Sequence, residues 1–305
     1  MLSYRITEAD RRSLPPAYST QPRYLGYHQN DSDRPFARYF TPAVRPIQDH
    51  VRDSLLAGQS PAEYGYEVDD APRRLAARGY HDMETGWTRT ASGALVVSCL
   101  TDMPGVTAAM WDWWFGWHGT DSARYKLWHP GAHQFSAMAE DRNADRSLTD
   151  RQRFIGNVSF VDEYIGATLN RLAIRFVDPV ALGFAEHPGT THICARVCLT
   201  DLPVAVGWLI HQVRPTEHGS EMRSRFFLGH PEVFDLPNSA VSHPIAGRVL
   251  THRATRRALT PAVNLAAKHA AGSQVGHYLL HHCASEMHHL AAFLPQLYAE
   301  FRDTP

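Results

Sequence analysis

The feature that most constrains the fold is a series of strand-like segments followed by one long helical segment. Strand-like segments with short connections must pair antiparallel, because a parallel pair needs a crossover of a dozen or more residues. The helical segment opens at Thr260-Pro261 and runs to about Phe301, with Gly272 and Gly276 predicting a break or bend. Together they predict an α+β fold in which a curved antiparallel sheet grips a long C-terminal helix. The strand-like segments are Asn157–Ile165, Arg171–Val177, His192–Leu199, Val204–Val213 and Glu221–Leu228, the last two joined by a hairpin at Pro215–Gly219.

Residues 1–85 differ in texture from the rest of the chain. Frequent prolines divide this region into loops and short helices, of which we predict one at about Pro42–Ala57 and a shorter one beginning at Ser60. The β-branched run within Thr88–Thr101 marks the start of the main domain, which we place at residues 86–305. The N-terminal region has little core of its own, so we expect it to wrap the main domain or to mediate dimerisation.

Composition excludes several classes of protein. The chain has 305 residues with 30 basic and 31 acidic side chains, a balance that excludes a protein-wide basic field for nucleic acid or anionic lipid. No apolar run approaches the roughly 20 residues that span a bilayer, so we expect a cytoplasmic protein with no membrane anchor. Four cysteines without CxxC spacing are expected to be buried free thiols. The 19 histidines favour a metal or proton-transfer site.

The sharpest local signal is the sequence His282-Cys283-Ala284-Ser285-Glu286 in the last helical segment. Residues four apart lie on one face of a helix, so His282 and Glu286 can bind one ion together. They share that face with apolar residues such as Leu279 and Leu290, which predicts burial. A buried carboxylate without a partner is costly, and this favours a ligand role over an ordinary surface pair. The neighbouring His281, His288 and His289 are expected to be solvated.

Two further segments carry candidate groups. Pro130 biases His129 away from helical geometry, so His129 and His133 need not share a face, and one of them could bind metal while the other transfers protons. Both could equally be ordinary loop histidines. In the strand-like run Val158–Ile165, alternation sends Asp162 and Glu163 to opposite faces, so only one of the two acids can point into the core.

An aromatic helix is predicted at Ala108–His118, after Thr107 as its N-cap. Trp114 and its aromatic neighbours are typical of a core, but they could also form a wall against a flat phenolic ligand. Arg223 and Arg225 alternate onto one strand face, where they could hold an anionic phenolate or pair with nearby acids. His211 lies in a strand-like segment as either a core histidine or a proton-transfer group.

Five segments, taken in order, carry a family resemblance: Met110–Phe115, Tyr125–His133, Val161–Gly166, Glu221–Phe226 and His282–Met287. They resemble the 2,4-diacetylphloroglucinol hydrolases and the related phloretin hydrolases, which hydrolyse the carbon–carbon bond between an aromatic ring and its acyl group. The resemblance implies a Bet v 1-like helix-grip domain and an N-terminal helical part used in dimerisation. It also implies a zinc ion held by His133, Glu163, His282 and Glu286, with Tyr125 binding a ring hydroxyl.

From these residues and the resemblance we expect a metal-dependent hydrolase of an acylated polyhydroxy-aromatic ketone. Two imidazoles and two carboxylates suit zinc, although manganese, iron or cobalt would also be accepted. Tyr125, His129 and His211 are the candidates for hydroxyl binding and proton transfer, and Tyr125, Trp114 and Arg223 are the candidate substrate contacts. The alternatives are another aromatic polyketide-processing enzyme, such as a cyclase or acyltransferase, and a non-catalytic carrier of hydrophobic ligands.

Overall fold

The computed structural model describes residues 2–252 and 273–304. Within them, eight strands form a single antiparallel sheet in the order β1-β2-β8-β7-β6-β5-β4-β3. Strands β3 to β8 are therefore neighbours in chain order, as short connections require, and the predicted antiparallel sheet is confirmed. The strands are β1 (Gly86–Arg89), β2 (Leu95–Pro104), β3 (His133–Met138), β4 (Val158–Ile165), β5 (Thr168–Val177), β6 (Thr191–Leu199), β7 (Val204–Thr216) and β8 (Gly219–Val233).

Within the described residues, helices precede β1, lie between β2 and β4, and follow β8. In order they are α1 (Glu8–Arg11), α2 (Pro16–Thr20), α3 (Asp49–Ala57), α4 (Ala71–Ala76), α5 (Ala108–Trp117), α6 (Ser122–Trp128), α7 (Asp150–Phe154), α8 (Pro244–Thr251), α9 (Ser273–Ala291) and α10 (Leu294–Phe301). The α+β class predicted from the sequence is confirmed. Within the described residues, no helix combines the length and the apolar character needed to cross a bilayer.

Several predicted element boundaries are wrong. Helix α3 begins at Asp49 rather than at Pro42, because Pro46 restricts the residue before it to extended geometry. The segment after Ser60 forms only a single 3-10 turn, Ala62–Tyr64, which ends at Gly65. The prediction of a helix opening at Thr260-Pro261, and of a bend at Gly272, falls outside the described residues.

The predicted break at Gly276 is also wrong, since Gly276 lies inside α9. A Cβ at this position would lie 2.4 Å from Cδ1 of Trp87, so the glycine lets β1 approach the helix closely. The chain instead interrupts its helix at residues 292–293, before Pro295 in the first turn of α10. The close contact between Gly276 and Trp87 fixes α9 against the sheet.

The two faces of the sheet have different partners. Side chains of one face pack with α5, α6 and α9 in the main hydrophobic core. Cys99 of β2 and Cys283 of α9 are buried free thiols in this core, and Cys194 and Cys198 are buried free thiols elsewhere in the sheet. Residues 41–46 of the N-terminal region pass over α9 on the first face, whereas other parts of that region, such as Tyr66 and Leu75, pack on the other face. There Asp10 pairs with Arg175 of β5, and Glu84 pairs with two arginines of β8.

Candidate active site

A chamber of about 420 Å³ lies between α9 and the inner face of the sheet. Its wall on strands β5–β8 is largely aliphatic, with Leu172, Ile174, Val197, Leu199, Val206 and Leu228. Its polar groups include His118, Tyr125 of α6, Glu163 of β4, His211 of β7, and His282 and Glu286 of α9. Cavities of this volume hold drug-sized ligands, and a few convergent polar groups in an apolar wall are typical of ligand sites.

Four side chains from three elements cluster where Glu163, His282 and Glu286 line the chamber. The fourth, His133, contacts the two carboxylates but is not itself a lining residue. Nε2 of His133 lies 3.6 Å from Oε2 of Glu163 and 3.4 Å from Oε2 of Glu286. Nε2 of His282 lies 3.7 Å from the same Glu286 oxygen. In addition, His133, Glu163 and His282 each offer one ligand atom within 4.8 Å of the others. Ligands about 2.0–2.1 Å from one tetrahedral zinc lie about 3.3 Å apart, so these separations suit donors that share an ion.

Hydrogen bonding orients the His133 ring. Its Nδ1 lies 3.0 Å from the backbone carbonyl oxygen of Tyr125, and because a carbonyl can only accept, Nδ1 carries the hydrogen. The lone pair is therefore on Nε2, which is buried and has no hydrogen-bond partner among the described residues. The Tyr125 ring stacks on the imidazole with centroids 3.7 Å apart. A metal-ligating histidine is held in the same way, with its second nitrogen bound to a carbonyl.

Burial controls the protonation of the cluster. It raises the pKa of Glu163 to about 7, although the hydrogen bond from Tyr125 lowers that pKa. It also raises the pKa of the Glu286 carboxyl well above its usual range, and the Glu163 charge adds to this shift. Burial lowers the pKa of His282 to about 4, and it lowers the pKa of His133 well below its usual range. Within residues 2–252 and 273–304, the ion pairs of both carboxylates are formed with imidazoles alone. The cluster thus combines neutral imidazoles with buried acids, and a cation would compensate the acids.

Comparison with known proteins identifies the family. The family model described as "DAPG hydrolase PhiG domain" matches residues 66–299. The chain belongs to the DAPG hydrolase family. The family predicted from five short segments is therefore confirmed, as is the prediction of a hydrolase. The match begins inside the N-terminal region and extends through α9 into α10.

Named relatives of this DAPG hydrolase family member match it over nearly their whole length. A 2,4-diacetylphloroglucinol hydrolase of Pseudomonas protegens is 29% identical over 97% of this chain and 95% of its own. A phloretin hydrolase of Eubacterium ramulus is 26% identical over 92% of this chain and 95% of its own. Among solved structures, a norcoclaurine synthase of Thalictrum flavum matches 62% of this chain and 96% of its own, at 14% identity and a TM-score of 0.29.

Two of the candidate catalytic residues lie in the chamber wall. Tyr125 is buried, and its hydroxyl donates a hydrogen bond to Oε2 of Glu163. His211 faces the chamber from β7, and its Nδ1 lies 2.7 Å from the Ser224 hydroxyl. Burial lowers the pKa of His211 to about 3, so its ring is neutral near pH 7. In the structure, alternation along β4 directs Glu163 into the chamber and Asp162 to the other face, where Asp162 pairs with Arg23.

Three other candidates lie outside the described chamber lining. Trp114 is fully buried behind His118, on which it stacks at a centroid distance of 4.8 Å, so it cannot touch a ligand in the chamber. His129 stacks on the outer side of the His282 ring at 5.2 Å. Arg223 is on the opposite face of β8, where Glu84 accepts two hydrogen bonds from it. It therefore pairs with an acid of the chain, and it does not face a phenolate in the chamber. The alternation of β8 grouped Arg223 with Arg225 but did not show which face met the chamber.

The expectation that His289 is solvated is wrong. His289 is buried because residues 41–46 pass over α9, and its Nδ1 accepts a hydrogen bond from the backbone N–H of Arg45 at 3.3 Å. The adjacent His288 bonds to the carbonyl of Pro46 in the same segment. Only the long-range packing of the N-terminal region decides these contacts, and no local pattern reports them.

His118 is among the polar residues of the chamber that the sequence did not single out. It is the last residue of the predicted aromatic helix, and its neighbours Trp114, Phe115 and Trp117 favour a core position. In the structure α5 ends at Trp117 and His118 starts a 3-10 turn, which directs its ring toward the chamber. A histidine at the end of an otherwise apolar helix was the available signal.

Proposed function

We propose that the protein is a metal-dependent hydrolase that cleaves the carbon–carbon bond between a polyhydroxylated aromatic ring and its acyl group. The observation that carries the proposal is the cluster of His133, Glu163, His282 and Glu286 at the wall of an apolar chamber. The names of its relatives, 2,4-diacetylphloroglucinol hydrolase and phloretin hydrolase, point to acylphloroglucinols or phloretin-like ketones as the substrate class.

The four clustered residues fit a divalent ion. The Nε2 atom of His133 is buried without a hydrogen-bond partner among the described residues, and it faces two carboxylates. A set of two imidazoles and two carboxylates suits Zn²⁺ and would also accept manganese, iron or cobalt. A divalent ion bound there would polarise the acyl carbonyl and water.

The protein's own residues supply the proton chemistry. Hydrolysis adds water to the acyl carbon, which leaves as a carboxylic acid, and the bond electrons remain on the ring carbon, which must take up a proton. His211 is a neutral imidazole in the chamber wall, so it can receive the proton that the attacking water releases and deliver it to the ring carbon. The Tyr125 hydroxyl donates to Glu163, which leaves its oxygen lone pairs for a ring hydroxyl. Ring hydroxyls ortho and para to the acyl group make the protonated carbon accessible through a keto tautomer.

The finer fold and assembly are part of the proposal. A helix-grip arrangement of the Bet v 1 type is supported by the chamber that α9 and the antiparallel sheet enclose. Dimerisation through residues 1–85 is supported by the exposed apolar side chains of Leu56 and Tyr64 in that region. Light scattering on the full chain, alone and with Leu56→Asp, measures the oligomeric state directly.

Metal quantitation coupled to a cleavage assay tests the proposed reaction. The purified protein should contain about one divalent ion per chain, and it should release a carboxylic acid from acylphloroglucinols or dihydrochalcones. His282→Ala and Glu286→Gln should abolish both the bound metal and turnover, because each removes a ligand. His281→Ala is the matched control, since His281 is the exposed neighbour of His282 on the same helix.

Three outcomes would contradict the proposal. Full activity of metal-stripped protein would exclude the metal from the reaction. Acyl transfer to nucleophiles other than water, detected by mass spectrometry, would point instead to an acyltransferase. Protein that purifies without metal and binds phenolic ketones unchanged would be a carrier.

A further inference from the structure

His118 has one ring nitrogen engaged and one available. Its Nδ1 lies 2.7 Å from the backbone carbonyl oxygen of Trp114, which can only accept, so Nδ1 carries the hydrogen. Nε2 is therefore a fixed acceptor. In the described part of the chain the hydrogen bond of the His118 ring is the one that Nδ1 makes, and the residue lines the chamber.

The aromatic cage around His118 holds its ring in one orientation. The ring stacks on Trp114 at a centroid distance of 4.8 Å and an interplanar angle of 13°. Trp128 contacts it edge-on at 5.3 Å, and Tyr125 lies parallel to it at 5.8 Å. Rotation of the ring would break the Nδ1 hydrogen bond and these contacts, so the acceptor has a set direction.

The surroundings of His118 favour a hydrogen-bond donor as its ligand. Its neighbour Tyr125 already donates its hydroxyl hydrogen to Glu163, so both residues present acceptors at this part of the wall. Phenolic hydroxyls are donors, and a flat ring suits the aromatic side chains beside them.

His118 differs in this respect from His211. The two imidazoles contact the same ring, that of Phe115, at centroid distances of 5.6 Å and 6.1 Å. The partner of His211 is the Ser224 hydroxyl, which can either donate or accept, so the tautomer of His211 can change. The tautomer of His118 is fixed by a backbone carbonyl. This contrast suits His211 to transferring a proton and His118 to accepting a hydrogen bond from a ligand.

We propose that Nε2 of His118 accepts a hydrogen bond from a hydroxyl group on the aromatic ring of the substrate, and that this contact selects hydroxylated rings. The proposal rests on the proposed function for its substrate class. It assigns His118 a binding role in addition to that of Tyr125.

A binding cycle with uncleavable ligands tests this contact. The probes are a 2-alkyl-1,3,5-trihydroxybenzene, which lacks the acyl carbonyl, and its two analogues that each lack one kind of hydroxyl. Titration calorimetry on the full-length, as-purified protein should show that one missing hydroxyl weakens binding about tenfold, as loss of one hydrogen bond predicts. Trp128 and Trp208 line the chamber, so tryptophan fluorescence provides a second readout.

Two conservative variants have opposite expected results. The amide nitrogen of asparagine matches the position of Nδ1, so His118→Asn should keep the contact with Trp114 and lose the discrimination between ligands. The side-chain amide of glutamine extends to the position of Nε2 and offers an oxygen there. His118→Gln should therefore retain part of the discrimination between ligands. His192→Asn is the matched control, because His192 is a buried histidine that does not line this chamber.

The outcomes separate this inference from the proposed function. If His118→Asn weakens all three ligands equally, or leaves the discrimination intact, His118 does not accept the hydroxyl and the inference is overturned. No binding of the trihydroxy ligand to wild-type protein overturns it as well. If His118→Asn fails to fold, His118→Phe keeps the ring stacking and gives the same comparison. Normal discrimination in a protein that cleaves no acyl aromatic would instead refute the proposed reaction alone.

Discussion

The roles of the chamber histidines depend on which ring nitrogen each keeps free. His133 and His118 both donate through Nδ1 to backbone carbonyls, so both present a bare Nε2. The free nitrogen of His133 faces carboxylates, whereas that of His118 belongs to the aromatic part of the wall. We therefore propose that the same local hydrogen bond prepares a metal ligand in one place and a hydroxyl acceptor in another.

A prediction at this scale concerns His211. Replacing His211 with Phe should lower kcat about 10²–10⁴-fold, the usual contribution of one positioned acid or base. The bound metal should be unchanged, because His211 is not in the ligand cluster. Ser224→Ala should have a smaller effect, since it removes only the partner of the imidazole. Steady-state kinetics with metal analysis of each variant measure both quantities. Unchanged kcat in a folded, metal-containing His211→Phe protein would assign the proton transfer elsewhere.

At the scale of elements, the β4–β5 turn and α9 form the edge of the chamber. Tyr278 of α9 lines the chamber and is 42% exposed, so it lies at the opening rather than in the interior. Its ring rests on Gly166, where φ is +61° and an added Cβ would lie 2.7 Å from Cγ of Tyr278. Glycine at this position satisfies both the backbone conformation and the close approach of the ring.

Replacing Gly166 with Ala should destabilise the protein and displace Tyr278. The left-handed backbone alone costs about 1–2 kcal/mol, and the contact with the ring adds an overpacking cost of about 1–3 kcal/mol. Gly156→Ala is the matched control, because its φ is +70° and an added Cβ meets nothing within 4 Å. Urea unfolding should therefore show a larger loss for Gly166→Ala, and adding Tyr278→Ala should recover the difference. Equal losses in the two single variants would show that Tyr278 moves freely.

The sequence predicted elements better than it predicted contacts between them. The helical spacing of His282 and Glu286 is a local property, and both side chains are buried, as their shared helix face predicts. The alternation of Asp162 and Glu163 predicts that one acid points inward, but not which one. The convergence of His133 with His282 depends on how α9 packs against β3 and β4, and only the family resemblance supplied it. His118 was missed because α5 ends one residue before it, and Gly276 misled because a glycine that admits Trp87 looks like a helix break.

At the scale of the whole molecule, the sheet separates two kinds of buried charge. The inner face holds the acidic and imidazole cluster, and the outer face holds Arg223 and Arg225, both paired with Glu84 from the N-terminal region. Burial raises the pKa of Glu84, but its hydrogen bonds with the arginines outweigh this and lower the pKa to about 2. Glu84 therefore attaches the N-terminal region to the back of the sheet.

This attachment predicts a specific acid dependence of stability. The pKa of Glu84 is lower in the folded chain than its ordinary value of 4.5, so its contribution is complete above about pH 4.5 and is lost as the pH falls toward 2. At pH 7, Glu84→Gln should destabilise the protein by about 3–5 kcal/mol, because two buried arginines lose their carboxylate. Denaturant unfolding across this pH range should show the difference between wild type and variant narrowing on acidification. Glu63→Gln, at an exposed site, is the control. A difference that does not vary with pH would mean that charge is not its origin.

The aliphatic wall of the chamber comes from β5–β8, whereas the clustered imidazoles and carboxylates come from β3, β4 and α9. Residues such as Ile174 and Val197 are not part of the cluster, so we expect that they can be exchanged for larger or smaller ones without moving the proposed metal ligands. A lineage carrying this scaffold could adapt to ketones with longer or bulkier tails by altering those strands alone.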